Sequence, residues 1–291
     1  MPGRAARPET AAATSPSSDA GGGPVQDGDR EGATIAALRR IYRHALLHGG
    51  AHPEAILRAR RLEWFLRLGC QAERVSTRVE QARRQGNLTY FEWLIHDARL
   101  HLFHEYLILH SAAVAGAGGC LLLPGPSGCG KTTLSARLLA RGLGYLSDEQ
   151  VDLDPLTQEA LPFPKALTVK PGSFALFAGV QACATFAAGS WAVKYVDPES
   201  LVPGCVWRSR ARVDLIVFPG FVPAATTVVA RVDPPATVER LFTHSANLAH
   251  HKERGLDAFV ALARRVPVYS LTFGDVDDAC DAVLDLVEPL S

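Results

Sequence analysis

The chain lacks several features that would mark it for a membrane, a disulfide scaffold or a polyanion. No apolar run approaches the roughly 20 residues of a membrane-spanning helix. The first residues also lack the apolar core of a secretion signal, so no membrane partner is expected. Charge of neither sign dominates: Lys plus Arg and Asp plus Glu number 30 each. That balance offers nothing to a nucleic acid. Six cysteines, at 70, 120, 129, 183, 205 and 280, are scattered without a C-x-x-C pair. Such spacing argues for free thiols in a reducing, cytoplasmic setting and against a zinc site or disulfide framework. With 47% hydrophobic residues in 291, a sizeable soluble core is available.

One stretch does carry chemistry. Gly125-Pro126-Ser127-Gly128-Cys129-Gly130-Lys131-Thr132, followed by Thr133, fits the phosphate-binding pattern G-x-x-x-x-G-K-[ST] without substitution. The apolar run Cys120 to Leu123 before it reads as a buried strand. Leu134, Leu138 and Leu139 after it have helical spacing, and Gly142 closes the segment. Glycines let backbone N–H groups approach an anion, and the helix adds its positive end. The expected ligand is ATP, with Lys131 on the outer phosphates and the Thr132 hydroxyl on Mg²⁺.

The rest of the chain mixes strands and helices, so an α/β core is expected. Residues 1–33 read as a disordered tail, 34–88 as a helical extension and 89–291 as the domain that holds the loop. Residues 34–100 carry twelve Arg against six acids. That excess is either the solvated side of amphipathic helices or a patch for an acidic partner. Tyr106–Val114 reads as one strand turning at Gly116–Gly119 into the strand before the loop. Leu143–Leu146, Leu167–Lys170, Val213–Phe218, Thr226–Val232 and Val268–Phe273 read as further strands. Helices are expected from Pro234 to Leu241, over 253–265 and from Asp275 to about Val287, with 174–205 showing little period.

Three features gather near the loop. Asp148-Glu149 ends the next strand, 17 residues after Lys131. If that strand runs the same way as the first, both carboxylates face the phosphates. One would then hold Mg²⁺ and the other accept a proton from an attacking hydroxyl. His110, on the strand whose hairpin leads into the loop, either faces the γ-phosphate or fills the core. Lys170 and Arg212 are candidate neutralisers of phosphate charge, and Asp214 a secondary Mg²⁺ ligand.

These residues resemble a known family. Tyr106-Leu107-Ile108-Leu109-His110-Ser111-Ala112, then Leu121 to Thr133, then Leu146-Ser147-Asp148-Glu149, are similar to the HPr kinase/phosphorylase superfamily, and most to its HPr-related kinase A branch. The resemblance implies a P-loop kinase core of the HPr kinase/phosphoenolpyruvate carboxykinase type, using ATP and Mg²⁺. It implies a serine hydroxyl on a small protein or peptide as acceptor, and an oligomer of like subunits. By position Asp148 matches the catalytic base, Glu149 the second acid near Mg²⁺, and His110 the family's histidine. Founding members have Asp-Asp where this chain has Asp148-Glu149. Their following Glu- and Arg-containing signature is replaced by Leu167 to Gly172, where Thr168 stands for a carboxylate and Lys170 supplies a cation. That substitution argues against the reverse dephosphorylation. The expected function is therefore an ATP-dependent protein or peptide kinase. The rival readings are an ATP-ordered regulatory module and a kinase of a free small molecule.

Overall fold

The computed structural model describes residues 33, 36–44, 92, 96, 100, 105–188 and 191–287. The tail expected over 1–33 lies outside them but for Ala33, and the 34–88 extension but for 36–44. Among the described residues no helix is long and apolar enough to cross a membrane.

The architecture is mixed α/β, built on a mostly antiparallel central sheet. Its strands run in the order β1 (Leu107–Leu109), β5 (Val151–Leu153), β6 (Glu159–Leu161), β10 (Ala211–Phe221), β3 (Gly119–Pro124), β2 (Ser111–Gly116) and β4 (Gly144–Ser147). β12 (Val268–Phe273) also pairs with β10, and β11 (Val228–Arg231) with β12. β10 is parallel to both β3 and β12. β2 is antiparallel to both β3 and β4. It follows that β3, β4, β10 and β12 all point the same way, and their C-terminal ends share one edge.

Alternation along the strands divides the core into two layers. On β3, Leu121 and Leu123 join one cluster while Cys120 and Leu122 join the other. β2 does the same with Ala112 and Val114 against Ala113 and Ala115. This is the period-2 pattern of a strand buried on both faces. One face is covered by α1 (Lys131–Ala140), through Leu134, Leu138 and Leu139, and by α5 (Val276–Val287), through Ala279, Cys280 and Val283. The other is covered by α3 (Pro234–Thr243), through Leu241, and by α4 (Leu248–Arg265), through Phe259 and Leu262. Helix starts follow their caps: Asp233 Oδ1 accepts from Ala236 N at 2.8 Å, and Asp275 Oδ1 from Asp277 N at 2.7 Å.

Several readings need correction. Tyr106–Val114 is not one strand: it breaks at His110, because β1 pairs with β5 while β2 pairs with β3 and β4. The 213–218 strand runs from Ala211 to Phe221, since β12 supplies a parallel partner across Pro219 and Gly220. α4 starts at Leu248 rather than 253, through a kink at Lys252 (φ 49°). The unreadable 174–205 stretch holds the end of a 3₁₀ helix (Pro171–Phe177), β8 (Ala184–Ala188), β9 (Trp191–Val196) and α2 (Pro198–Leu201). With β7 (Leu167–Val169), β8 and β9 form a second, three-stranded sheet.

Against that small sheet lies the helical 36–44 segment. Ala37, Leu38, Ile41 and Tyr42 are buried with Ala166, Ala184, Val193 and Tyr195. The Ile41 carbonyl accepts from Ala166 N at 2.6 Å, and His44 Nε2 lies 2.7 Å from Asp197 Oδ1.

Candidate functional site

The Gly125–Thr132 loop leaves the C-terminal end of β3 and enters α1. Gly130 is the N-cap residue, at φ 96°, and no side chain caps the helix. Only glycine fits there: a Cβ would lie 2.6 Å from Phe273 Cζ at the end of β12. Cys129 holds the loop to the neighbouring strand, its carbonyl accepting from Phe221 N at 3.1 Å. Pro126, Ser127 and Gly128 form the exposed rim.

Lys131 is buried, and its Nζ turns back along the loop. It donates to the Gly125 carbonyl at 2.7 Å and the Pro126 carbonyl at 2.9 Å, and lies 3.3 Å from His110 Nε2. The other ring nitrogen of His110 is 3.0 Å from the Glu149 carbonyl. A carbonyl only accepts and an ammonium only donates, so His110 carries its proton on Nδ1 and offers Nε2 as acceptor. Burial and the Lys131 charge hold its pKa below the usual histidine value, against the pull of Glu149. His110 is therefore a neutral ring between the loop and the acid pair.

The acid pair sits in a tight turn at the end of β4. The Ser147 hydroxyl donates to the Gln150 carbonyl across the turn, and Glu149 adopts φ 75°, a conformation strained for a side chain with a Cβ. The turn sends the two carboxylates to different partners. Asp148 is fully buried and accepts from the Thr132 hydroxyl at 3.0 and 3.2 Å on its two oxygens. It also accepts from Thr168 N at 3.3 Å. Burial, then the neighbouring Glu149, raise its pKa above the ordinary aspartate value, despite Lys165 and Lys131. Glu149 lies 3.5 Å from His110 Nδ1 and 3.9 Å from Lys170 Nζ. Burial acts to raise its pKa too, but Lys165, His110 and Lys170 outweigh burial and leave it below the ordinary glutamate value. Two adjacent carboxylates thus have their proton affinities pushed apart.

The structure brings together His110, the whole Gly125–Thr132 loop, Thr132, Asp148 and Glu149. Lys170 joins them, bonded through Nζ to the Ser127 hydroxyl on the loop rim. Thr133 faces elsewhere, with its hydroxyl 3.0 Å from that of Ser173 at the 3₁₀ helix. Cys129 is buried, and burial raises its thiol pKa. Arg212 and Asp214 are not at the site. Asp214 is the extra residue where the β10–β3 register shifts, beside the first residues of β3 and thus at the opposite edge. There it pairs with Arg265 at 3.2 Å and lies 3.9 Å from Arg212.

Two residues at the site escaped the sequence reading. Lys165 is fully buried, bonded to Glu92 Oε1 and Thr168 Oγ1 at 2.6 Å each. Burial opposes its charge, but Glu92, Glu149 and Asp148 outweigh burial, so its pKa is raised. The signal in the sequence was a lysine set between Pro164 and the apolar Ala166-Leu167. Glu92 had no such signal, because its partner lies 73 residues away.

Among the described residues no cluster of three or more His, Cys, Asp or Glu side chains is placed to hold a metal. The hard oxygen donors present, one hydroxyl and two carboxylates, are the kind Mg²⁺ shares with water and phosphate oxygens.

No family model matches the chain, and no curated protein matches it. Among solved structures it is similar to the HPr(Ser) kinase/phosphatase from Coxiella burnetii, at 12% identity over 62% of this chain and 92% of that one, with a TM-score of 0.31. A likeness that slight carries no functional weight.

Proposed function

We propose that this chain is an ATP- and Mg²⁺-dependent kinase. It transfers the γ-phosphoryl group to a hydroxyl, a serine on a small protein or peptide, from an α/β phosphate-loop core. The observation that carries the reading is the placement of Asp148. A fully buried carboxylate at the end of β4 meets the Thr132 hydroxyl at the start of α1, at the edge where the glycine loop opens.

Each role follows from that arrangement. The loop amides and the α1 N-terminus offer donors and partial positive charge to phosphates. The Lys131 ammonium, already at the loop carbonyls, adds a full charge there. Lys170, bonded to Ser127 on the rim, adds a second. Asp148 accepts the acceptor's proton as the new O–P bond forms and the β–γ bridging bond breaks, which leaves ADP. Its raised proton affinity makes it a stronger base than an exposed aspartate. His110, neutral and held by Glu149, keeps Lys131 aligned from the other side. The Thr132 hydroxyl gives its hydrogen to Asp148, leaving its oxygen lone pairs for a cation. Mg²⁺ would be held by Thr132 and Glu149, and it supplies charge neutralisation to the phosphates.

The test uses γ-labelled ATP and Mg²⁺ with the wild type, Lys131→Ala and Asp148→Asn, each against lysate of the source cell. The expected result is one discrete labelled small protein or peptide, seen with the wild type alone. A labelled metabolite would move the acceptor to a free small molecule. ATP bound equally by wild type and Asp148→Asn, with nothing labelled, overturns the kinase reading in favour of an ATP-ordered regulatory module.

A further inference from the structure

Lys165 takes no direct part in that reaction, yet it is fully buried. A buried ammonium is costly unless its N–H groups find acceptors. Here Nζ donates to Glu92 Oε1 at 2.6 Å, Thr168 Oγ1 at 2.6 Å and the Ala166 carbonyl at 3.4 Å. The second oxygen of Glu92 accepts from the Tyr195 hydroxyl at 2.8 Å. Tyr195 is the residue directly opposite Thr168 in the β7–β9 ladder. Thr168, Lys165, Glu92 and Tyr195 therefore close a ring. From that ring the Thr168 N–H reaches out and donates to Asp148 Oδ2 at 3.3 Å.

Ion pairs this deep add little net stability over a well-packed apolar substitute. What they add is fixed geometry, because every member is held from two sides. The Thr168 peptide cannot shift without stretching the bond from Lys165 to its own hydroxyl. The Thr132 hydroxyl holds Asp148 from the opposite direction. A reacting carboxylate has to be held to within about 0.5 Å of its working position.

We propose that Lys165 is a positioning residue: through Thr168 it holds the Asp148 carboxylate against Thr132, and Glu92 holds Lys165 in place. The kinetic consequence rests on the kinase reading above, while the hydrogen bond itself does not. Glu92 is, on this view, part of the support of the acid pair.

The test reads both. Lys165→Met leaves Glu92 buried without its cation, so the double variant Lys165→Met/Glu92→Gln is made beside it, with Lys165→Arg as the conservative rescue. The first readout is the Thr168 amide proton in ¹⁵N-labelled, deuterated protein, with Asp148→Ala, which removes the acceptor, marking the resonance of the unbound state. It is expected to move upfield in Asp148→Ala and in both Met-containing variants, and to return toward the wild-type position in Lys165→Arg. The second is ADP release from Mg·ATP, with water or the labelled protein as acceptor. The expected loss is about 10- to 100-fold in kcat, with KM for Mg·ATP changed by less than about 2-fold.

A Thr168 amide that stays at its wild-type shift in both Met-containing variants overturns the proposal. So does a wild-type kcat in a variant whose amide has moved. Absence of any ADP release by the wild type sinks the kinase reading instead, and the amide shift then decides the positioning role by itself.

Discussion

The two edges of the central sheet both gather charged side chains, and they treat them differently. At the C-terminal edge Asp148 is fully buried, and its hydrogen bonds come from the neutral donors Thr132 and Thr168. At the opposite edge the Asp214 side chain is 30% exposed and is matched by Arg265 at 3.2 Å. Among the described residues the first acid has no ion pair, though the Lys165 and Lys131 charges act on it, while the second is already paired. The first arrangement holds a carboxylate whose proton affinity is raised; the second is an ordinary ion pair. On the proposed reading, Asp148 is the reactive acid because its edge also presents a helix N-terminus and, among the described residues, leaves it without an ion pair.

The sharpest way to break this comparison is to neutralise each acid without changing its shape. Asp148→Asn should lower phosphoryl transfer by about 10²- to 10⁴-fold, the range for losing a general base. Asp214→Asn should leave turnover within about 2-fold, since it touches nothing at the loop. ADP release measured for both variants in one assay decides the matter, and equal losses would erase the distinction between the edges. Next in size is Lys131→Ala, expected to cost roughly 10²- to 10³-fold in turnover, as for the loss of one preorganised donor. Arg265→Met, the cation of the other edge, should leave turnover unaffected.

The contrast also shows why some of the molecule could be read from sequence and some could not. β3, the loop and α1 were legible because their signals are local: an apolar run, a glycine pattern and a leucine spacing. Asp148-Glu149 was legible because it ends a strand. The same-direction run of β3 and β4, which brings it to the loop, follows from the intervening antiparallel β2. Asp214 misled for a related reason. It sits in an apolar strand like a metal-binding acid, but a register shift makes it the extra residue, at the wrong end of β3. His110 was placed near the loop, but not at a break between two strands, because pairing partners are non-local. Of the small β7-β9-β8 sheet only β7 was legible, because little hydrophobic period marks the stretch that holds β8 and β9. The Glu92–Lys165 pair needs contacts that no window of sequence contains.

Each edge also has a glycine at positive φ with a side chain pressed against it, and this gives a stability comparison. Gly130 (φ 96°) faces Phe273 Cζ at 2.6 Å from where a Cβ would sit, and Gly119 (φ 118°) faces Asp214 Oδ2 at 2.0 Å. Alanine at either position pays about 1–2 kcal/mol for the left-handed backbone alone. Gly130→Ala should lose more, because the Phe273 ring is fully packed in the core while an aspartate oxygen can swing aside. Urea unfolding ranks the two, and ATP binding separates them further: it should collapse in Gly130→Ala and persist in Gly119→Ala.

The smallest effects lie within the Asp214 cluster itself. Arg265 is a quarter exposed and tied at three points: Nε to Gln158 Oε1 at 2.6 Å, Nη1 to Asp214 at 3.2 Å, and Nη2 to the Val213 carbonyl at 2.7 Å. Arg212 is 60% exposed and 3.9 Å from the same carboxylate. Held geometry and partial burial should give the Asp214–Arg265 pair a coupling of up to about 1 kcal/mol, with Asp214–Arg212 near zero, as is usual for exposed ion pairs. Double-mutant cycles in urea, using Asp214→Ala with each arginine changed to Met, measure both couplings. Raising the salt should shrink the Arg265 coupling only in part, because the pair is partly shielded from solvent. If instead both couplings vanish, Asp214 is as unmatched in solution as Asp148 is, and the difference between the two edges rests on the helix N-terminus alone.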